Sequence, residues 1–155
     1  MICLAVIVMM QQVIDLAQAE VNKGGLPFAA MVVNSKGEII SQAVNTVAQS
    51  NDPTDHAEIR AIRAATQKLK SSELTNHDVY AIGHPCPMCL AALTIAKPKK
   101  VYFTVSLSEK NKFLTFEKYK LPTEQLSNKK KEALTVFKRW SDRQKRLPCL
   151  SKTKT

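Results

Sequence analysis

Apolar and polar residues follow two different periods along the first half of the chain. From Val13 to Val21 the apolar residues recur at helical spacing and stop before Gly24-Gly25, which predicts a helix with a glycine cap. Phe28 to Val33 and Ile39 to Val47 are strand-like runs, and the tetrad 34–37 between them is rich in turn formers. These two runs therefore predict a β-hairpin.

The second half continues the alternation of helices and strands. A loop of turn formers leads into a predicted helix from Asp55 to Leu69 that starts near His56. A strand from Val79 to Gly83, a helix from Met88 to Lys97 and a strand from Lys99 to Val105 follow. This order is typical of an α/β layer fold.

The N-terminal segment from Met1 to Met10 is almost entirely apolar. Ala17-Gln18-Ala19 resembles a signal-peptidase site, so export is one interpretation. No Lys or Arg precedes Lys23, however, and the apolar run is far shorter than a membrane span. We therefore expect a buried strand or helix start that runs into the amphipathic stretch from Gln11 to Asn22, and no membrane partner.

The net charge of +10 is concentrated in the C-terminal part of the chain. Residues 1–96 carry six basic and eight acidic side chains, whereas residues 97–155 carry seventeen and five. The segment from Asn128 to Arg146 predicts a basic helix with an apolar face made by Leu134, Phe137 and Trp140. Such a surface is either a nucleic-acid contact or a solvated tail.

Two short motifs carry chemistry. Cys86 and Cys89 form a Cys-x-x-Cys pair at a predicted helix start, which suits either a redox pair or a metal site. His56 lies at a second helix start and supplies a third ligand, so one nitrogen and two sulfurs leave the fourth tetrahedral position of a catalytic zinc for water. A structural zinc would have no use for Glu58, whose carboxylate can move protons. Four cysteines are too few for a disulfide framework, so we expect a reducing compartment, the cytoplasm.

The combination of the motifs His56-Ala57-Glu58 and Pro85 to Cys89, twenty-six residues apart, resembles the cytidine and deoxycytidylate deaminase superfamily. The similarity runs from about Gln11 to Val105. Asn51 to Thr54 and Pro87-Met88 are most similar to bacterial guanine deaminases and the related tRNA adenosine deaminases.

The resemblance implies a cytidine deaminase-like three-layer α-β-α sandwich with a mixed sheet. It also implies a single domain over residues 1–155, with a basic C-terminal helix and tail at about 128–155, in a homodimer. The implied site has seven residues: His56, Cys86 and Cys89 hold Zn²⁺, Glu58 is the catalytic proton carrier, Asn45 hydrogen-bonds the base, the backbone N–H of Ala57 faces the attacked group, and Phe28 lies near the pocket wall.

The implied reaction is hydrolytic deamination of a nucleobase or nucleoside, with guanine converted to xanthine and ammonia. A tRNA adenosine-to-inosine deaminase and a non-catalytic zinc-binding module for nucleic acid are the alternatives. The chain departs from the family at three places: His84 replaces a glutamate, Asp55 replaces an alanine and Ala29 replaces a glycine. Guanine deaminases also place an acid after the fourth strand, for which Glu109 and Glu117 are the candidates.

Overall fold

A computed structural model describes residues 4–110, 112, 130, 134–136, 138 and 139. The chain divides into two compact units, Met1–Phe116 and Glu117–Thr155, and the expected single domain stays a prediction. In the second unit the described residues are all helical, within the helix predicted from 128 to 146. The candidate residues Glu117, Phe137 and Trp140 of the sequence analysis lie outside the described residues.

The first unit alternates helices and strands along the chain. Its elements are α1 (Leu4–Asn22), β1 (Ala29–Asn34), β2 (Ile39–Val44), α2 (Val47–Ser50), α3 (Ala57–Leu69), β3 (His77–Gly83), α4 (Pro87–Ala96), β4 (Lys100–Val105) and α5 (Leu107–Lys110).

The four strands form one mixed sheet in the order β2-β1-β3-β4. β1 is antiparallel to both β2 and β3, whereas β3 and β4 are parallel. The tight turn between β1 and β2 is held by Asn34, whose Oδ1 accepts hydrogen bonds from the N–H groups of Lys36 and Glu38. Gly37 adopts φ = 82°, a conformation that glycine tolerates without strain. The predicted hairpin is confirmed.

Helices cover both faces of this sheet. On one face, alanines of α3 and Leu93 of α4 pack against inward residues of the strands such as Val32 and Val79. On the other, Val13 and Ala17 of α1 pack against the opposite side chains of the same strands. The three-layer α-β-α sandwich with a mixed sheet is confirmed, because successive strand residues point to opposite faces and each face has its own helical cover.

Helix α1 starts earlier than the helical pattern from Val13 suggested, and it includes the apolar N-terminal segment. Several apolar side chains of this segment are exposed, among them Leu4, Ile7 and Val8, so the expectation that the segment is buried is wrong for these residues. By length and composition α1 could cross a membrane, but core helices of soluble proteins and signal sequences meet the same criterion.

Two short helices were not predicted, and both lie next to the carboxyl ends of strands. β2 ends at Val44 instead of Val47, because the Oδ1 of Asn45 accepts a hydrogen bond from the N–H of Val47 and starts α2 there. After β4, Ser106 and Glu109 form a reciprocal capping box that starts α5.

Candidate metal centre and active site

The candidate metal ligands lie at the starts of two helices. His56 is the N-cap residue of α3, and Cys86 is the N-cap residue of α4. The Thr46 N–H donates to the Asp55 carbonyl, and the His84 N–H donates to the Val105 carbonyl. These two bonds fasten the loops that carry the ligands to the carboxyl ends of β2 and β4.

His56, Cys86 and Cys89 converge on one point, as the sequence motifs predicted. The Nδ1 atom of His56 lies 3.6 Å from the sulfur of Cys86 and 3.6 Å from that of Cys89, and the three ligand atoms lie within 4.8 Å of one another. A tetrahedral zinc bound at about 2.3 Å to sulfur and about 2.0 to 2.1 Å to nitrogen separates these donors by about 3.6 Å. The donor set and its spacing therefore fit Zn²⁺.

The surroundings of the two cysteines favour a thiolate. The Cys89 thiol and the His56 ring hydrogen-bond the Cys86 sulfur and lower the pKa of Cys86 to about 3. The pKa of Cys89 is raised, because its thiol donates a hydrogen bond to the Cys86 sulfur and because it is buried. As bare side chains the pair thus holds one negative charge, at the positive end of the α4 dipole. A divalent cation supplies the positive charge that is needed to keep both cysteines deprotonated.

Glu58 lies beside the three ligands, in the first turn of α3. Glu58 is 9% exposed, and burial raises the pKa of its carboxyl group above the usual range. A hydrogen bond with the Cys89 thiol and the charges of Cys86 and His56 also act on this carboxyl. The structure therefore brings a carboxyl group that is not needed as a ligand to the edge of the cluster.

Ala57 is fully buried and is the first residue of α3. The N–H groups of the first helical turn have no acceptor within the helix. The Ala57 N–H therefore lies in the first turn of α3, between His56 and Glu58. In this position it can donate a hydrogen bond to a substrate at the metal centre.

Asn45 and Phe28 lie side by side, because the Asn45 N–H donates to the Phe28 carbonyl and extends the β1–β2 pairing by one step. Asn45 is 7% exposed, and its Oδ1 already accepts from the Val47 N–H. The Nδ2 amide is a donor with which Asn45 can contact a base, and Oδ1 keeps a second lone pair. The Phe28 ring is partly buried and packs against the core under α3.

Asp55 and His84 occupy the positions at which the chain departs from the family pattern. The Asp55 carboxylate forms an ion pair with Arg63 of α3 at 2.9 Å, and its pKa is lowered by this hydrogen bond. Asp55 therefore fastens its loop to α3; the N-cap position belongs to His56. The His84 ring packs edge-on against Phe103 at 4.9 Å, with its Nδ1 atom 2.9 Å from the Pro85 carbonyl.

Sequence reasoning missed Lys110, the last residue of α5. This lysine is 7% exposed, and its Nζ atom donates to the His84 carbonyl at 2.8 Å. Of the two acidic candidates after β4, Glu109 is exposed and bonds back to Ser106, and Glu117 lies outside the described residues. The Ser-x-x-Glu pattern from Ser106 to Glu109 was the signal that could have predicted the start of α5.

Comparisons with known proteins agree with this site. The sequence profile of the cytidine and deoxycytidylate deaminase zinc-binding region matches residues 6–105. The chain is 43% identical over 95 residues to the guanine deaminase of Bacillus subtilis, covering 61% of this chain and 60% of that protein. It is 40% identical over 88 residues to the tRNA-specific adenosine deaminase of Aquifex aeolicus, covering 57% and 58%. The aligned part thus spans about 60% of the length of either relative.

The fold agrees over a longer region. The crystal structure of the Bacillus subtilis guanine deaminase superposes with a TM-score of 0.77 at 31% identity, covering 94% of this chain and 95% of that one. The profile match contains His56, Glu58, Cys86 and Cys89, and these are the residues that the structure brings together. The chain therefore belongs to the zinc-binding cytidine and deoxycytidylate deaminase family.

Proposed function

We propose that this chain catalyses the zinc-dependent hydrolytic deamination of a purine base, converting guanine and water to xanthine and ammonia. The observation that carries the proposal is the buried Glu58 carboxyl beside a cluster of one nitrogen and two sulfur ligands. A structural zinc site needs the ligands alone, whereas hydrolysis needs a group that accepts and returns protons.

The ligands in this proposal are the Nδ1 atom of His56 and the sulfurs of Cys86 and Cys89. Zinc, when bound, supplies the Lewis acidity that lowers the pKa of water toward neutrality. Because Nδ1 faces the two sulfurs, the other ring nitrogen of a neutral His56 carries its proton.

Glu58 moves the protons of the reaction. It accepts a proton from the attacking water as oxygen bonds to the ring carbon that carries the amino group. It passes this proton to a ring nitrogen, then takes the second proton from the new hydroxyl group on the ring carbon and delivers it to the amino nitrogen. The carbon–nitrogen bond then breaks, ammonia leaves and a carbonyl remains. The Ala57 N–H faces the group under attack and stabilises the charge that develops there.

Guanine is favoured as the substrate by two observations. The relative that shares 43% identity is a guanine deaminase, as is the structure that superposes over 94% of the chain. In addition, the Nδ2 amide of Asn45 can donate a hydrogen bond toward the base, since Oδ1 bonds the Val47 N–H, and guanine carries two neighbouring acceptors, N7 and O6, on one edge.

A tRNA adenosine deaminase is the second candidate. It is favoured by the similarity to the Aquifex aeolicus enzyme and by the excess of basic residues between 97 and 155. A nucleic-acid substrate would use such charges to bind phosphates, and its binding would weaken steeply as salt is added.

The test is an ammonia-release assay of the zinc-loaded full chain over guanine, adenine, cytosine, their nucleosides and tRNA. We expect turnover of guanine that changes little between low and physiological salt. Turnover of tRNA with steep loss on adding salt, and none of guanine, would assign the second candidate. Retained zinc with no ammonia from any substrate would favour a non-catalytic zinc-binding module.

We also propose a cytoplasmic homodimer, as the family resemblance and the reduced cysteine pair suggest. Light scattering after gel filtration should then give twice the mass of the 17.3 kDa chain. A mass of one chain at the assay concentration would contradict the dimer without affecting the proposed reaction.

A further inference from the structure

A side chain of α3 holds the end of strand β2, next to Asn45. The Nη1 atom of Arg60 donates a hydrogen bond to the Val44 carbonyl at 2.8 Å, and Arg60 is partly buried. In the sheet that the structure describes, β2 is an edge strand and Val44 is its last residue. The Arg60 guanidinium therefore occupies the place that a neighbouring strand would take beside this carbonyl.

The peptide unit between Val44 and Asn45 is held from both sides. A trans peptide is planar, and its C=O and N–H groups point in opposite directions. The Asn45 N–H donates to the Phe28 carbonyl at 3.1 Å, and the Val44 C=O accepts from Arg60. One hydrogen bond thus ties this unit to the start of β1, and the other ties it to α3.

Arg60 connects this peptide unit with the residues of the metal centre. It follows Glu58 by two positions, and its own N–H donates to the His56 carbonyl at 3.0 Å in the first turn of α3. The regular geometry of the helix fixes the backbone of these three residues relative to one another. The hydrogen bond from Arg60 to the Val44 carbonyl therefore sets the distance between Asn45 and the ligand His56.

The rest of β2 has its own hydrogen bonds to α3. The Ser41 hydroxyl donates to the Ala61 carbonyl at 2.7 Å, and the Lys68 ammonium donates to the Ile40 carbonyl at 3.3 Å. Lys68 makes the same kind of contact as Arg60, from the same helix to the same edge strand, but near the opposite end of β2. Loss of the Arg60 guanidinium should therefore loosen the last residue of β2 and leave the strand in place.

We infer that Arg60 is a positioning residue, which holds the Asn45 amide at the distance from the metal centre at which it binds the base. The inference rests on the proposed function, because Asn45 is the residue proposed to contact the base. Arg60 itself acts through the backbone and does not touch the substrate. Such positioning matters, because a displacement of about 1 Å in a bound reactant can lower the rate about a hundredfold.

The test is a double-mutant cycle for guanine turnover by the zinc-loaded full chain, made from Arg60→Met and Asn45→Asp. Methionine keeps an apolar stem and removes the donors, whereas Asn45→Asp removes the amide that is positioned. Lys68→Met is the matched control, because it removes the other cation that α3 donates to the edge of β2. Zinc content and melting temperature are measured for every variant.

Two further substitutions complete the set. Arg60→Lys keeps a cationic donor and tests rescue. Arg60→Gln, with a shorter and uncharged side chain, serves in place of the methionine variant if that variant does not fold.

We expect Arg60→Met to keep its zinc and to lower kcat/KM for guanine about five- to thirtyfold, because the Asn45 amide loses its alignment. In the Asn45→Asp background the same substitution should cost less than about twofold, since the contact that Arg60 positions is already lost. Arg60→Lys should stay within about threefold of the wild type, because a single hydrogen bond does not need the guanidinium fork. Lys68→Met should match the wild type.

Four results would overturn the inference alone. The same fold-loss in both backgrounds would show that Arg60 does not act through Asn45. Loss of zinc from Arg60→Met would assign the arginine to support of the metal ligands, and an equal loss of activity in Lys68→Met would assign it to general support of β2. Unchanged turnover by a folded Arg60→Met or Arg60→Gln variant would show that the hydrogen bond is not needed.

Absence of guanine turnover by the wild type is a different outcome. It would overturn the proposed function, and this inference with it.

Discussion

The Nδ1 atom of His56 lies 3.6 Å from the sulfur of Cys86, thirty positions along the chain. Each of these residues is the N-cap of its helix, so the starts of α3 and α4 face each other at the carboxyl edge of the sheet. In open α/β sheets ligands bind in the crevice outside the carboxyl ends of the strands, where such helix starts meet. The relationship between these two caps fixes the position of the metal centre.

Removal of one ligand should release the metal. Cys89→Ser replaces a fully buried sulfur with a poorer ligand for zinc. We expect zinc to fall from about one to below about 0.1 per chain after dialysis, measured by mass spectrometry of the metal. Cys149→Ser, outside the metal motif, is the control and should keep its zinc. Full zinc occupancy in the Cys89 variant would show that the metal is bound elsewhere.

Asn45 has two separable tasks, and two substitutions distinguish them. Asn45→Asp keeps an acceptor for the Val47 N–H but loses the amide donor. We expect a melting temperature close to that of the wild type and a fall of about ten- to a hundredfold in kcat/KM. Asn45→Ala should lose activity and also about 1 kcal/mol of the free energy of unfolding, because the Val47 N–H loses its side-chain acceptor. Full activity of the aspartate variant would contradict contact between Asn45 and the base.

Leu74 should contribute strongly to stability and little to chemistry. It is fully buried between α3 and β3, and its N–H donates to the Ala96 carbonyl at the end of α4. Leu74→Ala should lower the free energy of unfolding by about 2 to 5 kcal/mol in urea titration. Leu90→Ala removes the same atoms from a side chain that is 41% exposed and should cost less than about 1 kcal/mol. Equal costs for the two variants would contradict the packing described for Leu74.

The capping box of α5 should give Glu109 a low pKa. Hydrogen bonds from the Ser106 hydroxyl and N–H lower the pKa of the Glu109 carboxyl below its ordinary value of 4.5. A carboxyl with a depressed pKa stabilises the folded state above the unfolded value, and this contribution is lost as pH falls through the folded pKa. Carbon NMR of the Glu109 carboxyl should show the low pKa, and Ser106→Ala should raise it. A titration at 4.5 in both proteins would disprove the cap.

The metal site was predictable from sequence because its residues are close together within two short motifs. His56 and Glu58 share one helix start and Cys86 and Cys89 share another, so local rules for caps and turns placed each pair, and the family resemblance implied the complete site. The hairpin was predictable for the same reason, because the tetrad 34–37 specifies its own turn.

Lys110 and the exposed face of α1 were not predictable in this way. The Lys110 side chain is placed by the capping box that starts α5 and by its hydrogen bond to the His84 carbonyl, which is twenty-six positions away in the sequence. The end of β2 was missed because the apolar pattern continues through Val47, while the Asn45 side chain turns the backbone. Apolar content alone also did not distinguish buried from exposed positions in α1.

The central claim is that Glu58 moves the protons at a zinc site formed by His56, Cys86 and Cys89. The most direct test is ammonia release from guanine by zinc-loaded Glu58→Gln, with Glu73→Gln as an exposed control that receives the same substitution. We predict that the Glu58 variant keeps about one zinc per chain and loses at least about a hundredfold in turnover, as expected on removal of a general acid–base group. The Glu73 variant should match the wild type. Undiminished ammonia release by the zinc-loaded Glu58 variant would contradict the account.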